Sequence, residues 1–296
     1  LLFISLSLFI INDEKKLFLI SKVVFIIVMI ICIDLWYQKF VGNSFFGYQK
    51  QQAGRLTSLF KDEQIPGSVV FKFSPFVIYY LFNFKKNKFI DVFKYFILAF
   101  IYFSIAITGE RSSFILSTIL LIFLLIFNFK LIEKKQLFYY SAFFLIIFII
   151  LFNLKNSIIK ERFYYTFEQS KNNIYLHLYD NAYQIFKKNI ILGSGPQTYR
   201  LECPKIKDHC STHPHNFLLE LFSDGGIFSP ILFVYSIISL VYFRLKKIKN
   251  KFLKSLILSY SILFFFPLIP TGSFFSSFSM TLTWFSMGFL YSIKKI

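Results

Sequence analysis

The chain has 296 residues, 56% hydrophobic and 22% aromatic, with 16% charged and a formal net charge of +18. Soluble domains carry about 25% charged residues, so this composition excludes an ordinary soluble globule. The apolar residues come in long runs, as in a polytopic membrane protein whose spans each need about 20 mostly apolar residues.

The chain opens inside an apolar run, LLFISLSLFIIN, too short to span. It lacks the basic start and small-residue cleavage site of a signal peptide, and is read as a fragment whose N-terminal helices are missing. Further runs follow at 17–33, 67–82, 90–107, 112–129, 136–153, 217–243, 255–269 and 279–293. Backbone groups in lipid must be paired within the segment, so such runs are helices. The expected fold is all-α: a single transmembrane domain over 1–296 with eight full spans and a partial one. Lys72 and Lys94 lie inside runs, near enough to an end to snorkel.

The 33 Lys and Arg against 15 Asp and Glu do not mark a nucleic-acid binder, because they line no single face. Many fall in short segments between runs: Lys15-Lys16, Lys85 to Lys88, Lys130 to Lys135, Arg244 to Lys254 and Lys294-Lys295. Such clusters mark cytoplasmic loops, with anionic lipid headgroups as partners. They occupy every second connection, so 34–66, 108–111, 154–216 and 270–279 share the opposite, outer side. The long loop 154–216 is too long to be an idle linker. Within it a helix is expected over 172–188, stopped by Asn189 and the GSGP turn at Gly193–Pro196.

Three of the four histidines, His209, His213 and His215, fall inside seven residues of HCSTHPHNFLLELFSDGGIFSP. Asn216 is suited to cap a short helix over 217–224, which Asp224–Gly226 would end. Ser229-Pro230 reads as the cap and first turn of the next span. The imidazoles admit three readings. With Cys203 and Cys210 they offer zinc-type ligands, but at no familiar zinc spacing. They can hold a turn by satisfying backbone groups. A neutral imidazole can also accept a hydroxyl proton near pH 7. Arg111 stands in the outer ITGER turn, with Arg55, Arg162 and Arg200 on the same side. Arginine suits bidentate phosphate contacts, and the bland alternative is a boundary arginine. Cys32 lies in a span. Cys203 and Cys210 lie where an oxidising compartment permits a bridge, which the sequence leaves open. Paired glycosidase-type carboxylates and a Gly-x-Ser-x-Gly motif are both missing from the sequence.

GSGPQTYR followed by CSTHPHNFLLELFSDGGIF resembles the O-antigen ligase and polymerase superfamily of bacterial membrane glycosyltransferases. That signature is a His-Asn pair, nine residues, then Gly, met here by His215-Asn216 and Gly226. Three positions on, the family favours Gly, Thr or Tyr, where this chain has Ser229. ITGERSS resembles the family's Thr-Gly-x-Arg turn, and GRLTSLFKDEQIPGSVV its Arg-rich outer segment; the resemblance covers roughly residues 50–230. It implies a multi-pass protein of the bacterial inner membrane whose active site faces the periplasm. The implied reaction moves a glycan, with inversion, from an undecaprenyl pyrophosphate carrier to a lipid A core sugar; other members use a growing glycan or a protein. His215 and Arg111 would be catalytic, with Arg55, Arg200, Arg162, His213 and Asn216 binding substrate; no metal or cofactor is implied. A transporter for the same lipid-linked glycan and a non-catalytic scaffold are the competing classes.

Overall fold

The structure, a computed structural model, describes residues 13–50, 54–83, 88–128, 174–206 and 209–294. Among these the chain is α-helical, with one isolated antiparallel bridge between Asn43 and Gln49. The helices are α1 (Glu14–Val41), α2 (Pro66–Asn83), α3 (Lys88–Ile107), α4 (Arg111–Asn128), α5 (Ile174–Lys188), α6 (Tyr199–Glu202), α7 (Phe217–Gly225), α8 (Phe228–Lys247), α9 (Lys251–Phe264) and α10 (Ser277–Ser292). Their ends carry ordinary chemical signals. Asp13 caps α1 by accepting from the Lys15 N–H, and Gly42 closes it in a left-handed turn. Pro66 opens α2, where a missing N–H costs nothing. Asn250 and Ser276 cap α9 and α10.

Apolar side chains join α1, α2, α3, α9 and α10 into the main core, with Leu120 of α4. Phe76 of α2 stacks on Phe289 of α10, ring centroids 3.9 Å apart, and Val28, Leu35, Leu256 and Met287 are fully enclosed. Helix α8 is different: Ile231, Leu232, Tyr235 and Ile238 are exposed, as befits a helix turned toward lipid. Lys94 is buried near the Phe82 ring, 5.8 Å from its centroid, and Lys72 hydrogen-bonds Ser279. Both lysines reach toward a helix end, Lys94 at the last turn of α2 and Lys72 at the first turn of α10.

The connections expected on the outer side meet at one end. Glu110 of the α3–α4 turn reaches Gly67 and Ser68 at the start of α2. Thr271, between α9 and α10, bonds the backbone of His215. At the other end Phe82 packs on Phe252, and Arg244 donates to the Ile293 carbonyl. Among the described residues these contacts draw parts of the expected outer connections together at one end. The span count fares differently. By length and composition α1 and α8 alone among the described residues qualify to cross a membrane. Helices α9 and α10 have 14 and 16 residues, about 21 and 24 Å at the helical rise, against about 30 Å of hydrocarbon. The expected eight spans are therefore not reached on this criterion, and the run 136–153 lies outside the described residues.

Two sequence motifs prove to be one structural feature. The Ser194 and Gly195 N–H groups donate to the Ser223 and Asp224 carbonyls at 2.9 and 2.8 Å, and the Ile227 N–H donates to Ile190 at 2.9 Å. The GSGP turn therefore lies against the DGG turn. Gly193 and Gly226 both have positive φ, and a Cβ on either would strike backbone: 2.5 Å from Asp224 C and 2.1 Å from Ile191 O, respectively. That contact explains the glycine separated from Asn216 by nine intervening residues. Helix α8 begins at Phe228 with Ile227 as its cap, two residues ahead of the expected Ser229 cap and Pro230 start, because the interlock turns the chain within Gly226 and Ile227.

Gly226→Ala should cost more stability than Gly47→Ala, whose φ is also positive but which has open space around it. The second change carries only backbone strain of about 1–2 kcal/mol; the first adds a backbone collision. Thermal unfolding of both variants in lipid nanodiscs checks this, and equal losses would dismiss the interlock.

Candidate functional site

The end of the bundle that carries Arg55, Glu110 and His215 is assembled by buried polar side chains that satisfy loop backbone. From α1, Asp34 accepts from the Phe45 N–H and the Ser58 hydroxyl, both at 2.6 Å. One turn on, Gln38 accepts from the Thr57 and Ser58 N–H groups at 3.0 Å and donates to Tyr48. These bonds fasten the segment carrying Arg55. A free backbone donor buried away from water is costly, so the anchors are structural necessities as well as positioning devices.

Arg55 is half-buried and donates to the Gln64 side chain. Its Nε is enclosed with no partner. Burial holds its guanidinium below the ordinary arginine value, opposed by the Glu110 charge and assisted by that of Arg111, with Tyr175 acting more weakly. Glu110 accepts from the Gly67 and Ser68 N–H groups at 2.6 and 2.9 Å and from the Ser113 hydroxyl at 3.0 Å. Burial pushes its carboxyl up to about 7, against the pull of these bonds and of Arg55. Arg111 follows directly as the first residue of α4. One carboxyl group therefore ties α2 to α4 and sits between two arginines 56 positions apart in sequence.

The histidine segment is held from the other side. Asn216 accepts the Leu218 and Leu219 N–H groups with its oxygen, capping α7 as expected, while its amide donates to Pro267 O at 2.6 Å. Thr271 donates its N–H to His215 O at 2.8 Å and accepts the Phe217 N–H at 3.0 Å. Glu220 accepts from Ser273 and Phe274, each at 2.6 Å. His215 itself has a φ of +54°, an uncommon conformation outside glycine. Its ring lies 4.1 Å from that of His213 and 5.7 Å, edge-on, from Tyr175 of α5. His215 Nε2 makes a long 3.4 Å contact with Ser211 Oγ. His213 Nε2 is enclosed and without a partner. Burial drives His213 down to about 4, helped by the neighbouring His215, and lowers His215 for the same first reason; the Thr271 backbone opposes both shifts. The pair is neutral at pH 7.

Tyr175 is the link that sequence reasoning missed. It acts electrostatically on Arg55 and packs against His215, so Arg55, Arg111, His213 and His215 occupy one neighbourhood. No sequence signal singled it out. Glu110 was visible inside ITGER but went unremarked beside its arginine. Arg200 is exposed on α6, and among the described residues no hydrogen bond or ion pair joins it to Arg55 or Arg111; Arg162 lies outside the described residues. Cys203 and Cys210 form a disulfide, which removes both thiolates from any ligand set. It staples the segment before the histidines to a small cluster of Ala182, Ile185 and Tyr199. Among the described residues no group of three or more His, Cys, Asp or Glu could hold a metal ion. Cys32 is buried and free.

Residues 95–234 match the model of a family described as O-Antigen ligase. The match takes in Arg111, the histidine segment and Gly226, and leaves Arg55 and the Thr271 loop outside it. A search of curated proteins found no match.

The lowered His213 value has a consequence for stability. Between its ordinary value near 6.5 and about 4, the unfolded chain binds a proton that the folded chain refuses. Its contribution is thus full above 6.5 and falls with pH through that window. Glu110 slopes the opposite way, since its folded carboxyl titrates near 7 rather than 4.5. The two separate in a comparison: His213→Gln should lose less melting temperature than the parent between pH 6.5 and 4.5. Parallel melting profiles would show that the ring is not held neutral by its surroundings.

Proposed function

We propose that this chain, a member of the O-antigen ligase superfamily, transfers a glycan from undecaprenyl pyrophosphate to an acceptor sugar hydroxyl, such as one on lipid A core, at the periplasmic face. The family is one of membrane proteins serving lipopolysaccharide biosynthesis. The observation that carries the finer reading is the gathering of two guanidinium groups and a neutral imidazole pair at one end of an apolar bundle, with enclosed nitrogens of Arg55 and His213 left unpartnered.

In this mechanism the acceptor oxygen attacks the anomeric carbon and forms the new glycosidic bond. The bond from that carbon to the pyrophosphate oxygen breaks on the opposite face, inverting the centre. The hydroxyl proton passes to Nε2 of His215, which is deprotonated at neutral pH because its environment disfavours the cation. The departing pyrophosphate gains negative charge, met by Arg111 and Arg55. His213 keeps the pocket around His215 uncharged. Arg200 and Arg162 are assigned to the substrate approach, where the carrier headgroup would pass. Asn216 acts through the backbone: with its oxygen and one amide proton engaged, it sets the position of His215 and has limited capacity left for substrate.

His215→Ala and Arg111→Ala should each reduce transfer at least about 100-fold, within the range for loss of an acid–base group or a charge-stabilising donor, while the protein still inserts. Transfer from a purified lipid-linked donor in proteoliposomes measures this. Undiminished glycan attachment by either variant defeats the assignment. Donor crossing the bilayer without acceptor would favour a transporter instead.

The acid limb of the transfer rate should lie below pH 6.5, the ordinary imidazole range, because His215 is lowered by burial. A rate profile from pH 5 to 8 checks it, and an acid limb above 6.5 would remove His215 as the base.

A further inference from the structure

Beside the arginine–histidine group lies a cavity of about 200 Å³ between α2, α4, α9, α10 and the 266–272 loop. Lys72 and Glu110 both line it. Lys72 donates to the carbonyl and hydroxyl of Ser279 at 3.0 and 2.7 Å. An ammonium has three protons to donate, so one remains. The Glu110 oxygens receive three hydrogen bonds of the roughly four a carboxylate can accept. The two groups attract each other yet form no direct ion pair, so a donor and an acceptor are both available to an occupant. Ser112 and Thr271 add hydroxyls, and Phe71, Phe217 and Phe264 add apolar faces.

The geometry points to this cavity as a subsite for one sugar ring. A hydroxyl can accept from Lys72 and donate to Glu110, which a simple anion cannot do. Aromatic walls with a few placed polar groups are the usual lining of a ligand pocket. The size agrees: a cavity of about 150 Å³ holds benzene, so this one admits a single ring rather than a chain of them. Thr271 lines the cavity and donates to His215 O, which puts the subsite wall next to the proposed base. The inference rests on the glycan-transfer reading for the origin of the sugar, not for the binding itself. That ring comes from the donor glycan or from the acceptor.

The test uses the whole chain in lipid nanodiscs and saturation-transfer NMR with methyl glycosides of glucose, galactose and N-acetylglucosamine. Saturation of at least one glycoside is expected. Lys72→Met, which removes the ammonium, and Ser112→Leu, which fills space but keeps the lysine, should each weaken it at least tenfold. Melting temperatures of both variants identify one that fails to fold, leaving the other to decide. Displacement by undecaprenyl-pyrophosphate glycan or by lipid A core oligosaccharide supports the subsite and names its source. Absence of saturation, a signal that survives both substitutions or both substrates, or displacement by inorganic pyrophosphate alone overturns it. His215→Ala should leave the glycoside signal intact. Full transfer by His215→Ala would remove the catalytic reading while leaving the cavity assignment standing.

Discussion

Irregular backbone at the end of an apolar bundle must find internal hydrogen-bond acceptors, and that constraint organises this protein. Water does not reach such groups freely, and an unpaired N–H is expensive. Asp34, Gln38, Glu110, Asn216 and Glu220 meet the need, each accepting backbone donors from a segment remote in sequence or at a helix start. The bonds that solve a solvation problem also fix where the loops sit. Arg55, Arg111 and His215 are placed by them.

The same dryness sets the chemistry. Enclosure makes a charge costly, so the carboxyl of Glu110 rises and the imidazoles of His213 and His215 fall. The outcome is an end of the bundle where the fixed positive charge belongs to arginines, which keep it under all ordinary conditions, while the imidazoles remain neutral. A pyrophosphate and a hydroxyl acceptor make opposite demands on their surroundings. Under the proposed reading, the guanidinium groups would meet the first demand and the uncharged rings the second.

The glycine interlock shows how a motif gets its spacing. Nine residues between Asn216 and Gly226 are one capped short helix, α7, with a turn that must pass within contact of the 190–195 loop. A side chain at Gly226 would push that loop off, and with it α6 and the disulfide-stapled segment ahead of the histidines. The spacing is a packing requirement before it is a catalytic signature.

Much of this was legible in the residues alone. Long apolar runs dictate helices because lipid offers backbone no partners. The Asn216 cap and the helix over 174–188 follow from short-range chemistry. Other features needed the fold. The span count stays at two among the described residues on length and composition, because a linear run of apolar residues does not fix where a helix starts and stops. Arg200 carries the right chemistry, yet among the described residues no hydrogen bond or ion pair joins it to Arg55 or Arg111. Tyr175 and Glu110 matter through what stands across from them, which no local pattern encodes. Helix type and capping depend on neighbours three or four residues away, so the sequence determined them by itself; the company of Arg55, Arg111 and His215 depends on contacts between segments far apart in the chain, so only the tertiary structure could decide it.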